Sequence, residues 1–149
     1  MVCLPSEIYQ TTSTTRLGFP QKAHTMAEVC FVDFNELKKY ASKAAKERVS
    51  VKDTDSTLWI AVYDPELVAF GGLLVKPPKA RIKGDWTLPD QRGKGYGHMM
   101  TEFRTDLCKR NPKIKQMEAY SLHPHYYKSQ GWTLCGKYAE GVTTVRRQI

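Results

Sequence analysis

The chain has 149 residues and carries 23 Lys+Arg against 15 Asp+Glu, a formal charge of +8 at pH 7, with 41% hydrophobic residues; this suits one ordinary domain, 1–149, with material for a core. No apolar run approaches the roughly 18–20 residues that span a bilayer, which excludes a helical membrane protein. Cys3, Cys30, Cys108 and Cys135 lack Cys-x-x-Cys or Cys/His ligand spacing, so they read as free thiols of a reducing, cytoplasmic compartment, and no metal is expected.

Residues 1–27, with Thr11–Thr15, Pro5 and Pro20, follow neither helical nor strand periodicity and are expected to be irregular, with at most one short strand. Glu28–Val32 alternates as a strand. Asp33, three residues before Glu36, then resembles a capping box. A helix to about Arg48 is expected, because Phe34, Leu37, Tyr40, Ala41, Ala44 and Ala45 fall on one stripe while Lys38, Lys39, Lys43 and Lys46 face out. That basic side reads first as a solvated helix back. Leu58–Tyr63 and Leu67–Val75 form a hairpin about Asp64-Pro65-Glu66, and the paired Gly71 and Gly72 suggest a bulge.

Ala80–Leu88 is the next strand, and it runs into a glycine-rich turn. The following helix, from about Tyr96 to Arg110, puts Tyr96, Met100, Phe103 and Leu107 on one face and stops at Asn111-Pro112. Ile114–Leu122 is a strand, Pro124 opens a short helix that Gly131 ends, and Thr133–Tyr138 with Val142–Arg147 make a closing hairpin.

The stretch from Trp86 to His98 is a candidate phosphate cradle. Gly93, Gly95 and Gly97 let the backbone turn tightly and lie bare, so that successive amides converge on an anion at the positive end of the helix. The dinucleotide fingerprint needs G-x-G-x-x-G and the nucleotide P-loop needs G-x-x-x-x-G-K-[ST]; neither is present. What is present is Arg92-x-x-Gly95-x-Gly97 after a strand ending in Leu88-Pro89, and about thirty residues on Tyr126-Tyr127-Lys128-Ser129-Gln130-Gly131-Trp132. This pair of motifs resembles the GNAT superfamily of acetyl-coenzyme A-dependent N-acetyltransferases, over Leu58 to about Cys135.

The resemblance implies an α/β (α+β) fold with a mixed, mostly antiparallel twisted sheet and helices on both faces. It also implies acetyl-coenzyme A as cosubstrate and transfer to an amine by direct attack. Gly93, Gly95, Tyr96 and Gly97 would hold the diphosphate by their amides, with Arg92 and Lys94 adding charge. The strand at Thr87-Leu88 would splay from Met117–Ser121, leaving the Leu88 N–H to bond the thioester carbonyl. Ser121 would stand where many members place an Asn against the pantetheine arm. Tyr127 would be the general acid for the departing thiolate, with Tyr126 its competitor. His98 follows the turn and would contact the coenzyme or lie on the helix surface.

An amine with a pKa near ~10.4 must lose a proton, and Asp85 and Glu118 are the candidate acceptors on strands bordering the cleft. Which way each side chain faces depends on the bulge pattern. His125 is a further candidate, while His123 and His125 have no third ligand nearby for a metal. The residues before the motifs match no recognisable opening strand and paired helices, so the acceptor stays open: a small-molecule or peptide amine, with nucleic acid or a nucleic-acid-binding protein as a rival partner favoured by the +8 charge. A GNAT-fold module that binds without turnover is the other alternative. No membrane partner is expected, and the chain would be a monomer or homodimer.

Overall fold

In strands Leu58–Tyr63 (β3) and Leu67–Lys76 (β4), nearly every residue is buried, because both faces of the sheet they lie in are covered. The computed structural model describes residues 9–12, 26–53 and 56–149. Around β3 and β4 stand Tyr9–Thr12 (β1), Met26–Val32 (β2), Lys79–Thr87 (β5), Gln116–Ser121 (β6), Thr133–Ala139 (β7) and Val142–Gln148 (β8). They form one sheet in the order β1-β2-β3-β4-β5-β6-β8-β7. Only β5 and β6 run parallel; the crossover between them carries the long helix α2, Tyr96–Lys109. The expectation for residues 1–27 falls mostly outside the described residues; within them, β1 is the short strand. No helix among the described residues is long and apolar enough to cross a membrane.

Alternation along β3 sorts the two layers. Ile60 and Val62 point to α2 and pack with Val29, Val68, Met100 and Phe103. Trp59 and Ala61 point the other way, to Leu37, Ala44, Phe70 and Trp86. On the α2 side a further cluster joins Ile82, Met117, Ala119, Cys108, Tyr127 and Trp132.

The second layer departs from the expected helix. Residues 34–48 form two 3₁₀ turns, Phe34–Glu36 and Lys38–Tyr40, followed by a five-residue helix α1, Ala41–Ala45. The reason is visible in the spacing: Phe34, Leu37 and Tyr40 recur every three residues, the period of a 3₁₀ turn. Asp33 Oδ1 accepts from Asn35 N at 3.3 Å, and Ala45 is exposed instead of on the buried stripe. Cys30 is disulfide-bonded, while Cys108 is a buried free thiol and Cys135 an exposed one; this corrects the expectation of four free thiols.

A bulge decides which residues of β5 face which layer. Phe70 pairs with Trp86, but two residues along β4 Gly72 pairs with Lys83, three residues back along β5. The extra residue therefore sits on β5, opposite Gly71, where Gly84 takes φ 66°, a conformation that favours glycine. Ile82 packs on the α2 side and Trp86 on the α1 side.

Candidate active site

Strands β5 and β6 pair from Lys79–Gln116 to Ile82–Ala119 and no further, although β5 runs on to Thr87 and β6 to Ser121. Past the bulge the two strands part, and backbone groups on both edges lose their ladder partners. Leu88 does not supply one of them. Its N–H donates to Val68 O at 2.9 Å, so the expected Leu88 donor is corrected: that amide is spent on β4. In an antiparallel ladder successive residues alternate between facing and leaving the partner strand. Thr87, opposite Ala69, is therefore the residue whose amide leaves β4 toward the gap.

Beyond β5 the chain makes a 3₁₀ turn at Pro89–Gln91 and the glycine turn. Gly93 and Gly95 have φ 80° and 89°, and a Cβ built on either meets nothing within 4 Å. The backbone there is both left-handed and bare, a shape that only glycine holds easily. Helix α2 starts without a side-chain cap, Gly95 being its N-cap, and its first bond is Met99 N to Gly95 O at 3.1 Å. The amides of Tyr96, Gly97 and His98 thus lack intrahelical acceptors at the positive end of a 14-residue helix. A diphosphate fits this donor set.

The side chains of the turn are less free than the motif implies. Arg92 bonds Glu47 at 2.8 Å and Thr87 O at 3.0 Å, and Lys94 Nζ donates to Gln91 Oε1 at 3.0 Å. Tyr96 is buried, and its hydroxyl donates to Asp64 Oδ2 at 2.5 Å; burial and that carboxylate push its pKa up to about 12. Tyr96 can therefore offer a coenzyme only its backbone. His98 Nδ1 meets Gln130 Oε1 at 2.7 Å, joining α2 to the turn after the short helix α3, Pro124–Lys128. Ser121 Oγ accepts from His123 N at 2.8 Å.

The two tyrosines of α3 face differently. Tyr126 is exposed, and its hydroxyl lies 3.3 Å from where a Cβ on Gly97 would stand. Tyr127 is buried against Trp132, ring centroids 5.0 Å apart, and burial raises its pKa well above that of an ordinary phenol. It remains protonated throughout the neutral range.

The candidate proton acceptors stand on opposite faces of the sheet. Asp85, on the α2 side, accepts from Nη1 and Nη2 of Arg104, each at 2.6 Å. Arg104 is fully buried and also donates to Gly72 O at 3.1 Å. A Cβ on Gly71 would come within 2.8 Å of Arg104 Nη1 and collide with Asp85 Oδ1, so glycine at 71 makes room for this pair. Glu118 faces the α1 side, since its neighbours Met117 and Ala119 pack with Cys108 of α2. It accepts from Arg146 Nε at 3.3 Å and lies 3.5 Å from the Tyr120 hydroxyl. Tyr120 stacks on Tyr138 at 3.9 Å, and Arg81 covers the Tyr120 ring.

On the α1 side a cavity of about 370 Å³ is lined by Tyr40, Lys43, Lys46, Glu47, Trp86, Leu88, Pro89 and Asp90. Glu47 is held by Arg92 and by Trp86 Nε1, at 2.9 Å, and these bonds, that from Trp86 first, keep its carboxyl below the usual range. Arg48 reaches the carbonyl of Glu140 at 2.9 Å, tying the end of this layer to the β7–β8 turn. Sequence reasoning passed over Arg104, Glu47 and this cavity. Arg104 carried a signal nonetheless, as a charge at i+4 from Met100 and i−4 from Cys108 on a buried helix face.

The Acetyltransferase (GNAT) family model matches residues 21–132. Among solved structures, the PaiA N-acetyltransferase from Thermoplasma acidophilum, in complex with coenzyme A, is 11% identical with a TM-score of 0.66, over 83% of this chain and 99% of that one. An acyl-CoA N-acyltransferase from Pseudomonas aeruginosa is 19% identical with a TM-score of 0.62, over 81% and 99%. The GNAT domain of S. lividans PAT is 13% identical with a TM-score of 0.64, over 94% and 97%. No protein of curated function matches the sequence. With a family model covering three quarters of its length, and the parted strands beside an uncapped, glycine-fronted helix, the chain belongs to the GNAT family of acetyltransferases.

Proposed function

We propose that the protein transfers the acetyl group of acetyl-coenzyme A to a primary amine by direct attack. The observation that carries this reading is the gap opened beyond Ile82–Ala119 next to the bare amides of the glycine turn. Acetyl-coenzyme A supplies an acyl group activated as a thioester. The turn and the start of α2 bind its diphosphate, and the Thr87 amide donates to the carbonyl oxygen as charge builds there. The Leu88 N–H has no such part.

The sheet separates the two proton tasks. Tyr127, on the α2 side, gives a proton to the departing sulfur. Glu118, on the α1 side but opposite Arg81, six residues before Thr87, takes the proton lost by the amine through intervening water. Asp85 is held by two bonds from Arg104 at 2.6 Å on the other face, whereas Glu118 meets Arg146 through one contact at 3.3 Å, which favours Glu118. In net terms an N–C bond replaces the C–S bond, and the proton lost at nitrogen is matched by one delivered to sulfur.

The test is mass spectrometry after incubation with acetyl-coenzyme A and separate pools of small amines, peptides and DNA. A gain of one acetyl mass in an amine pool, with release of free thiol, is expected. Acetylation of DNA alone would replace the acceptor class, and coenzyme binding with no transfer to any pool would leave a non-catalytic module.

A further inference from the structure

The cavity on the α1 side flanks Thr87 through Trp86 and Leu88, so it opens where the acyl group would be presented; an acceptor assigned to it rests on the acetyltransferase reading. Its charges are sorted by wall. On the helical wall Lys43 and Lys46 are three residues apart, hence on one side, and neither has an ion-pair or hydrogen-bond partner among the described residues. Glu47 adds no free negative charge there, because Arg92 and Trp86 already hold it. On the strand-end wall Asp90 is the free carboxylate. Tyr40 and Trp86, ring centroids 6.2 Å apart, supply flat apolar sides.

We propose that the acceptor is a small zwitterionic amine with a flat apolar body, its carboxylate or phosphate on Lys43 and Lys46 and its amine toward Asp90 and the strand end. A volume of about 370 Å³ suits a molecule of amino-acid size, at the lower end of ligand pockets. A polyamine meets two unpaired lysines and is repelled, and an aromatic amine with no anionic group leaves them unused.

The experiment loads the full chain with coenzyme A and titrates tryptophan, tryptamine, glutamate and spermidine by calorimetry, then follows free-thiol release with acetyl-coenzyme A and the same amines. Tryptophan is expected to bind tightest and turn over best. The Lys43→Ala/Lys46→Ala variant should weaken tryptophan about tenfold, as two partly exposed charge contacts are lost, while tryptamine changes little. Lys43→Glu/Lys46→Glu should reverse the order in favour of spermidine. Tight binding or faster turnover of spermidine or tryptamine by the unaltered protein overturns the proposal, and so does an unchanged tryptophan affinity in the alanine variant or no binding by any of the four. Titration with coenzyme A itself separates the two readings: if the coenzyme binds and the order of amines is wrong, only the acceptor class falls, whereas failure to bind coenzyme A removes the enzymatic reading beneath it.

Discussion

Replacing Gly71 by alanine tests whether the Asp85–Arg104 pair governs the shape of the parted strands. Gly71 is not among the glycines with positive φ, so alanine suits the backbone and the whole effect is steric. The new methyl would collide with Asp85 Oδ1 and press on Arg104 Nη1. Both atoms belong to the bidentate pair, so one partner must move. Separating a buried ion pair costs about 3–5 kcal/mol, since it strands a charge. Arg104 is 0% exposed but Asp85 is 27% exposed, and water reaching the carboxylate places the cost at the low end, about 3 kcal/mol. At roughly 2–4 °C per kcal/mol for a chain of this size, the melting temperature should fall by about 6–12 °C. Calorimetry on Gly71→Ala, Asp85→Ala and the double variant completes a cycle. Once Asp85 is truncated, the added methyl should cost under ~1 kcal/mol. A single variant that melts with the parent, or an equal cost in both backgrounds, would show that Gly71 is not there to admit the pair.

Three further outcomes are expected. Gly95→Val forces a branched side chain into φ 89° and covers the bare amides, so titration should find coenzyme A binding abolished in a folded protein; unchanged affinity would move the cradle elsewhere. Tyr127→Phe should lower kcat by roughly one to three decades with little change in coenzyme affinity, and Tyr126→Phe much less; the reverse order would pass the acid role to Tyr126. Alkaline titration should weaken the fold, because burial raises Tyr63 and Tyr96 from 10.0 to about 12. A phenol that holds its proton more tightly when folded contributes stability that is whole below pH 10 and lost as pH climbs toward 12. Denaturant melts across that range should show the decline, and Tyr96→Phe should flatten it.

Much of this molecule could be read along the chain because its signals are local. The run Gly93, Gly95, Gly97 carries its own conformational demand, and α2 begins and ends at its punctuation. What could not be read depends on neighbours distant in sequence. The single extra residue near Gly84 is defined only against Gly71 across the ladder, and it sets whether Leu88 or Thr87 offers its amide to the gap. Asp85 reads along the chain as a candidate proton acceptor, and only the fold shows that α2 brings Arg104 beside it. The helix expected over 34–48 broke because a three-residue spacing, read as one edge of a helical stripe, is equally the repeat of a tighter turn.

That extra residue gives β5 a parity. Ile82 and Trp86 stand four apart yet face opposite layers because of it; with Gly84 removed they would stand three apart, pair regularly with Leu73 and Phe70, and still face opposite layers. What would go is the kink and added twist that a bulge gives the strand, and with it the divergence of β5 from β6. A deletion at Gly84 therefore acts on the gap alone, narrowing it while coenzyme and acceptor keep their own sides of the sheet.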